Sequence, residues 1–324
     1  MIDRFIFTSH NSDSINCFRD FYPEAGNENV VSFLPTFKLT KGLIGRASIS
    51  VRYNKFIPCF IKYRYYNFES LEFNDNVVYH ILMHTLTLTK IDMHCLAMLL
   101  KKHPNVRLYA LVNDSMDASS IHMRHVREKL LNPIWTRVLT YDRNDADKYG
   151  FEWIGYRIYS DWEFIKPDDR ISDCYYVGFN KGDRESIVQS VYNRLKASGI
   201  NTRFDIVSDT QNPNQEPQYL KAGIPYSDVV SRVKSTNCII EILQKNQNSQ
   251  SLRWFEAIAY NKKLLTNNVN VRDLPYYDER YMKYFKEADD IDLEWVSKVE
   301  IINYGYHNEF SPLELIDYIK NSIN

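Results

Sequence analysis

Two α/β units, each built on a parallel sheet, are what this 324-residue sequence predicts, and three observations predict them. Short apolar runs of strand character alternate with segments of helical spacing. The alternation stops at a polar stretch without period, SDWEFIKPDDRISD (residues 160–173), and then restarts. The length suits two domains of ordinary size, and 44% apolar residues are enough to fill two cores.

In the first half, residues 4–8 read as a strand leading into the polar loop SHNSDS. VVYHILM (77–83) reads as a buried strand, residues 91–102 as a helix packed on one side, and VRLYALV (106–112) as a second strand. Two strands bracketing a helix imply parallel pairing with a right-handed crossover. A helix over 121–131, a strand over 136–141 and a short helix over 144–149 continue the rhythm. After the polar stretch come a strand CYYVGF (174–179), a helix over 184–198 stopped by Gly199, and a strand over 202–207. A helix over 226–234 precedes the strand CIIEIL (238–243), and QSLRWFEAIAYNKKLLTNN runs from a helix into a short buried strand. Ser311 suits the N-cap of an amphipathic helix over 311–323. The expected organisation is a first domain over 1–160, a linker over 161–173, a second domain over 174–310 and a terminal helix over 311–324.

The net charge of −1 offers no global attraction for nucleic acid, so any electrostatic partner must be met by a local patch. The chain is rich in Tyr and Phe and poor in Gly and Pro, which argues against long disorder. Five cysteines (Cys17, Cys59, Cys95, Cys174, Cys238) lack C-x-x-C spacing and read as free buried thiols, with neither a zinc site nor a disulfide framework. No window approaches the roughly 20 apolar residues of a spanning helix, and the N-terminus has no uninterrupted apolar run, so a cytoplasmic protein is expected.

Ligands of open α/β sheets bind where strand ends lead into helix N-termini. Three such loops in the second half have suitable chemistry. GFNKGDR offers Gly178, Asn180, Lys181, Gly182 and Arg184, small residues for close backbone approach and cations for an anion; a solvated turn capping a helix is the alternative. NQNSQSLRWFEAIA offers Ser249 or Ser251 as a cap, Arg253 facing the opening, and Glu256, a carboxylate able to accept two ribose hydroxyls; here the alternative is a surface i, i+3 ion pair. In AGIPYSDVV, Tyr226 opens a helix and either holds a nucleobase or packs in the core.

The runs YYVGFNKGDRESIVQSVYNRLKASGINTRFDIV, IPYSDVVSRVKSTNCIIEILQ and QSLRWFEAIAYNKKLLTNN together resemble the C-terminal domain of bacterial cell-surface polysaccharide (capsule, O-antigen, exopolysaccharide) biosynthesis proteins. Those are similar to glycosyltransferases of the GT-B architecture, and the resemblance spans roughly residues 136–275. It implies two Rossmann-like domains facing across a cleft, with the C-terminal helix packing back on the first. It also implies a nucleotide-sugar donor, a UDP-sugar favoured, with no cofactor. Lys181 and Arg253 would meet the diphosphate and Glu256 the ribose, with Asn180, Arg184, Tyr226 and Ser251 as further donor-binding residues. Many relatives carry two glutamates framing the corresponding helix. Here Ser249 stands seven residues before Glu256 and Lys263 seven after, a departure from that pattern.

The function so implied is metal-independent transfer of a sugar to a growing, lipid-linked surface glycan. Two other readings stand beside it: a non-catalytic nucleotide-binding or assembly protein of the same fold, and a nucleotide-sugar epimerase. Two D-x-D strings, Asp145/Asp147 and Asp290/Asp292, lie in helix-like polar contexts and are expected on solvated faces. An inverting transfer needs a base from the first domain. His10 and Asp114, in loops after strands, are the candidates, with His84 a third. Finally, residues 37–66 hold seven basic residues and no acidic one, interleaved with aromatic and aliphatic side chains. Such a segment suits an anionic membrane surface at the inner face; two strands with basic outer faces are the alternative. No nucleic-acid motif accompanies it.

Overall fold

The alternation of strands and helices is realised as two parallel sheets of six strands each. The structure is a computed structural model and describes residues 2–9, 16–39, 42–50, 52–112, 115–116, 121–180, 184–208, 217, 219–220, 222–244 and 250–323. The chain divides into two compact units. One runs to Ser160 and takes in the terminal segment from Glu309 onward; the other spans Asp161–Asn308.

The first unit contains β1 (Ile2–Ser9), β2 (Val31–Pro35), β3 (Val77–His84), β4 (Val106–Val112), β5 (Arg137–Thr140) and β6 (Glu152–Trp153), in the order β2-β1-β3-β4-β5-β6. Its inner strands are continuous apolar runs because a parallel sheet is covered on both faces. Ile6, Ile81, Met83, Leu108 and Ala110 of these strands pack with Leu96 and Leu99 of the helix Met93–Lys102. The C-terminal helix, Pro312–Ile323, belongs to this unit, as expected. Ser311 Oγ accepts the Leu313 N–H at 3.2 Å and donates to Asp20 Oδ2 at 2.7 Å, and Arg137 Nη2 donates to the Ser322 carbonyl at 2.9 Å.

Residues 37–66 leave this sheet after β2 and return beside it: Phe37 and Tyr66 form an isolated antiparallel bridge, and the Asn67 N–H donates to the Thr36 carbonyl at 3.0 Å. In between lie the short helices Leu43–Ser48 and Cys59–Tyr63, not the pair of strands the alternation of basic and apolar residues also allowed. Lys62 is buried and paired with Asp92, so it is not the surface cation expected from sequence.

The second unit contains β7 (Ser172–Phe179), β8 (Thr202–Val207), β9 (Tyr219–Leu220), β10 (Thr236–Glu241), β11 (Lys263–Thr266) and β12 (Met282–Tyr284), in the order β12-β11-β10-β7-β8-β9. Numbered from its own first strand this is 6-5-4-1-2-3, the order of a doubly wound dinucleotide-binding sheet. The helix Arg184–Ala197 buries Val188, Val191 and Leu195 against β7 and β8 and ends before Gly199, whose φ of 74° is the left-handed turn expected there. The polar stretch after Ser160 belongs to this unit. Lys234 Nζ donates to the carbonyls of Trp162, Glu163 and Ile165 at 2.9–3.0 Å, and Arg203 pairs with Asp168 at 2.6 Å. No helix of the described residues is long and apolar enough to cross a membrane.

Candidate functional site

Strand order in the second sheet reverses between the parallel neighbours β7 and β10, and the carboxyl ends of strands at such a reversal are the usual ligand position in open α/β sheets. Strand β10 is an apolar run that ends on a carboxylate, Glu241, only 1% exposed. A buried carboxylate must be hydrogen-bonded. Glu241 Oε1 accepts the Ser251 N–H at 2.8 Å and the Ser251 hydroxyl at 2.7 Å, while Oε2 accepts the Thr266 hydroxyl of β11 at 2.6 Å. Glu241 therefore ties β10 and β11 to the start of the next helix. Burial still pushes its pKa up, against these hydrogen bonds.

That helix, Leu252–Ala259, is capped by Ser251, whose Oγ accepts the Arg253 N–H at 3.2 Å. Residues 254–258 are all buried, so the helix is enclosed nearly all round and Glu256 is carried inside with it. Its neighbours supply what a buried carboxylate needs. Arg253, three residues earlier on the same face, donates from Nη2 to Glu256 Oε1 at 2.7 Å. The Tyr226 hydroxyl, from the first turn of the helix Tyr226–Lys234, donates to the same oxygen at 2.7 Å. Oε2 has no hydrogen-bond partner among the described residues. Burial is the largest influence and raises the Glu256 pKa to about 7; Arg253 and Tyr226 pull it down without reversing the shift. Near neutrality this carboxyl is thus poised between its two protonation states.

On the other side of the reversal, β7 ends at Gly178 and Phe179. A Cβ on Gly178 would lie 2.7 Å from the buried Tyr176 hydroxyl, so this glycine is required by packing inside the protein. Arg184, in the first turn of the following helix, donates from Nη1 to the Phe179 carbonyl at 3.4 Å and lies beside the Tyr176 ring. Asn180 N–H donates to the Val207 carbonyl at 2.7 Å, extending the β7–β8 ladder.

The structure therefore brings together Tyr226, Ser251, Arg253 and Glu256, and places Asn180 and Arg184 at the end of the adjacent strand. Arg253 and Glu256 form a buried pair and not the surface pair that was the alternative. Lys181, Gly182, Ser249, His10 and Asp114 lie outside the described residues. His84, at the end of β3, is fully buried and caps the short helix Thr85–Leu88, its Nδ1 accepting the Leu86 N–H at 3.2 Å. Lys263, at the position where a second glutamate was sought, is buried at the start of β11 and donates to the Trp295 carbonyl at 2.7 Å. Asp145 is not on a solvated face: it is 1% exposed and Oδ2 accepts the Met116 N–H at 2.8 Å, because Asp142, not Asp145, caps the helix Arg143–Tyr149. Asp147, Asp290 and Asp292 are exposed, as expected. Sequence reasoning missed Glu241. Its signal was a lone acidic residue inside the run CIIEIL, where nothing but a buried hydrogen-bonding role keeps a carboxylate.

No family model and no curated protein matches the chain. The solved structures it is similar to are glycosyltransferases. The apo form of the lipopolysaccharide outer core galactosyltransferase WaaB is 12% identical at a TM-score of 0.49, with 99% of each chain covered. The glycosyltransferase SnogD from Streptomyces nogalater is 10% identical at 0.45, covering 99% of this chain and 100% of that one. The spinosyn forosaminyltransferase SpnP is 9% identical at 0.46, with full coverage of both. At these values the likeness transfers neither a substrate nor a residue's role to this chain.

Proposed function

We propose that the second unit binds the nucleoside diphosphate of a nucleotide-sugar, a UDP-sugar favoured, between the ends of β7 and β10. On this reading the chain transfers the sugar to a hydroxyl of a growing, lipid-linked surface glycan. The observation that carries the proposal is the cluster of Arg253, Glu256 and Tyr226 at the point where strand order reverses, with one carboxylate oxygen of Glu256 left without a partner among the described residues. An unsatisfied buried oxygen costs about 1–3 kcal/mol, more when charged, and a ribose hydroxyl is the donor that would satisfy it.

The departing diphosphate gains negative charge as the glycosidic bond breaks, and preorganised cations meet that charge in place of a metal. Glu241 already takes the Ser251 amide at the helix start, so the charge falls to the side chains: Arg253 from this helix, and Lys181 and Arg184 from the loop after β7. Asn180 and Ser251 border the same opening. The acceptor hydroxyl then loses its proton to a base of the first unit, His10 or Asp114.

The test is a panel of UDP-, GDP- and CMP-sugars, with nucleotide release followed with and without a polyprenyl-linked acceptor. One donor is expected to turn over, faster with acceptor. Absence of binding to every member at millimolar concentration removes the proposal. Binding without turnover on any acceptor points instead to a non-catalytic binder, and isomerisation of the sugar without nucleotide release to an epimerase.

A further inference from the structure

Residues 37–66 carry a surface feature independent of the nucleotide reading. Among the described residues seventeen large apolar side chains are exposed, and six of them fall in this 30-residue window. Leu39 is 105% exposed, Leu43 87%, Phe56 71% and Phe60 62%, so most of each side chain's surface is left to solvent. The segment does not need them for folding: it is held by Tyr63 and Tyr66 in the first unit's core, by Lys62 paired with Asp92, and by Asn54 Nδ2 donating to the Lys90 carbonyl at 3.1 Å. Its exposed charges are all of one sign. Arg46, Arg52, Lys55 and Arg64 face solvent, Lys55 Nζ lying 5.0 Å from the Phe56 ring centroid.

We propose that this excursion is a docking surface for an anionic lipid bilayer, with Leu43, Ile44, Phe56 and Phe60 entering the headgroup boundary and the four cations meeting lipid phosphates. Charge complementarity selects this occupant. A chain of net charge −1 has gathered four solvent-facing cations on a segment that also exposes six large apolar side chains and carries no acidic residue, the composition of interfacial anchors. Four exposed cations near an anionic surface raise partitioning roughly a thousandfold over neutral lipid. The segment leaves and rejoins the sheet at the carboxyl ends of the first unit's strands, where Thr36 is anchored to Ser9, so the bilayer would lie at that rim.

The experiment is sedimentation of the full chain with vesicles of mixed phosphatidylcholine and phosphatidylglycerol, against phosphatidylcholine alone. Binding is expected to the mixed vesicles only, and to weaken with added salt. Arg52→Ala with Lys55→Ala should lower the partition coefficient roughly 10- to 30-fold. Phe56→Ser with Phe60→Ser should lower it at least tenfold, with an unchanged unfolding midpoint and unchanged nucleotide affinity. Equal sedimentation with both lipids, or no effect of either pair of changes, overturns the proposal. So does a concentration-dependent dimer abolished by Phe56→Ser, which assigns the face to a second copy. Salt-sensitive binding to single-stranded RNA without vesicle binding likewise overturns it.

Discussion

The two units share a six-stranded parallel sheet but finish its carboxyl ends differently. In the first, buried polar groups near the strand ends are largely hydroxyls and helix caps paired within the chain. Thr8 and Thr36 share a 2.6 Å hydrogen bond, Thr85 donates to the Leu111 carbonyl, and Asp142 caps its own helix. In the second, the corresponding positions hold two carboxylates and a guanidinium, and the account closes with one oxygen of Glu256 over. The first unit buries carboxylates as well, Asp142 and Asp145 after β5, but gives them backbone N–H donors from Asn144 and Met116. Buried ions cost several kcal/mol unless paired, and the second unit places an arginine–glutamate pair of this kind where its strand order reverses. The first unit spends its unusual residues outside instead, on an exposed apolar and cationic excursion.

The contrast can be broken at its strongest point by Arg253→Ala. This change leaves Glu256 buried beside Tyr226 alone and should destabilise the chain by about 3–5 kcal/mol in denaturant unfolding. Its counterpart in the first unit, Lys62→Met, leaves Asp92 with 17% of its side chain exposed and should cost distinctly less. Equal losses would erase the difference between the units.

The next effect is one of pH. Glu256 has a folded pKa raised to about 7 from a usual value of 4.5, so the folded protein holds a proton that the unfolded chain releases. The stability this contributes is fully present below about pH 4.5 and is lost as pH rises through about 7. Relative to Glu256→Gln, the parent chain should lose about 3 kcal/mol across that window, measured as unfolding free energy at several pH values. A flat difference would place the carboxyl's pKa near its ordinary value.

Smaller again is the packing contrast between glycines. Gly178→Ala forces the buried Tyr176 ring to move and should cost about 1–3 kcal/mol, whereas a Cβ on Gly42 of the first unit meets nothing within 4 Å and should be nearly neutral. At the bottom of the scale, Phe56→Ser with Phe60→Ser should shift stability by no more than about 0.5 kcal/mol per site, because these side chains are exposed.

The sheets' inner strands were legible because parallel strands buried on both faces announce themselves as apolar runs; β4 and β8 coincide with the stretches expected from sequence. The strands that escaped notice are β2, β6, β9 and β12. All four are edge or next-to-edge pieces with half-exposed side chains, and β6 and β9 are two residues long, too short for any period. Within the candidate site, the helix carrying Arg253 and Glu256 and its cap at Ser251 could be read from spacing. The role of Glu241 could not, since its partners Ser251 and Thr266 are 10 and 25 residues away and meet it only once β10, β11 and the helix pack. Nor does sequence reveal that Glu256 is enclosed deeply enough for burial to outweigh an arginine. The excursion after β2 showed its charge in sequence, but not that Lys62 is drawn inward while Phe56 and Phe60 are left out.

The central claim, that the cluster between β7 and β10 holds a nucleoside diphosphate, is tested most directly by calorimetric titration of UDP, GDP and CDP into the parent chain and into Glu256→Gln. The account predicts submillimolar binding of one nucleotide and a loss of roughly ten- to a hundredfold in the variant, the worth of a charged hydrogen bond to ribose. No binding by any of the three at millimolar concentration, or equal affinity in the two proteins, would contradict it.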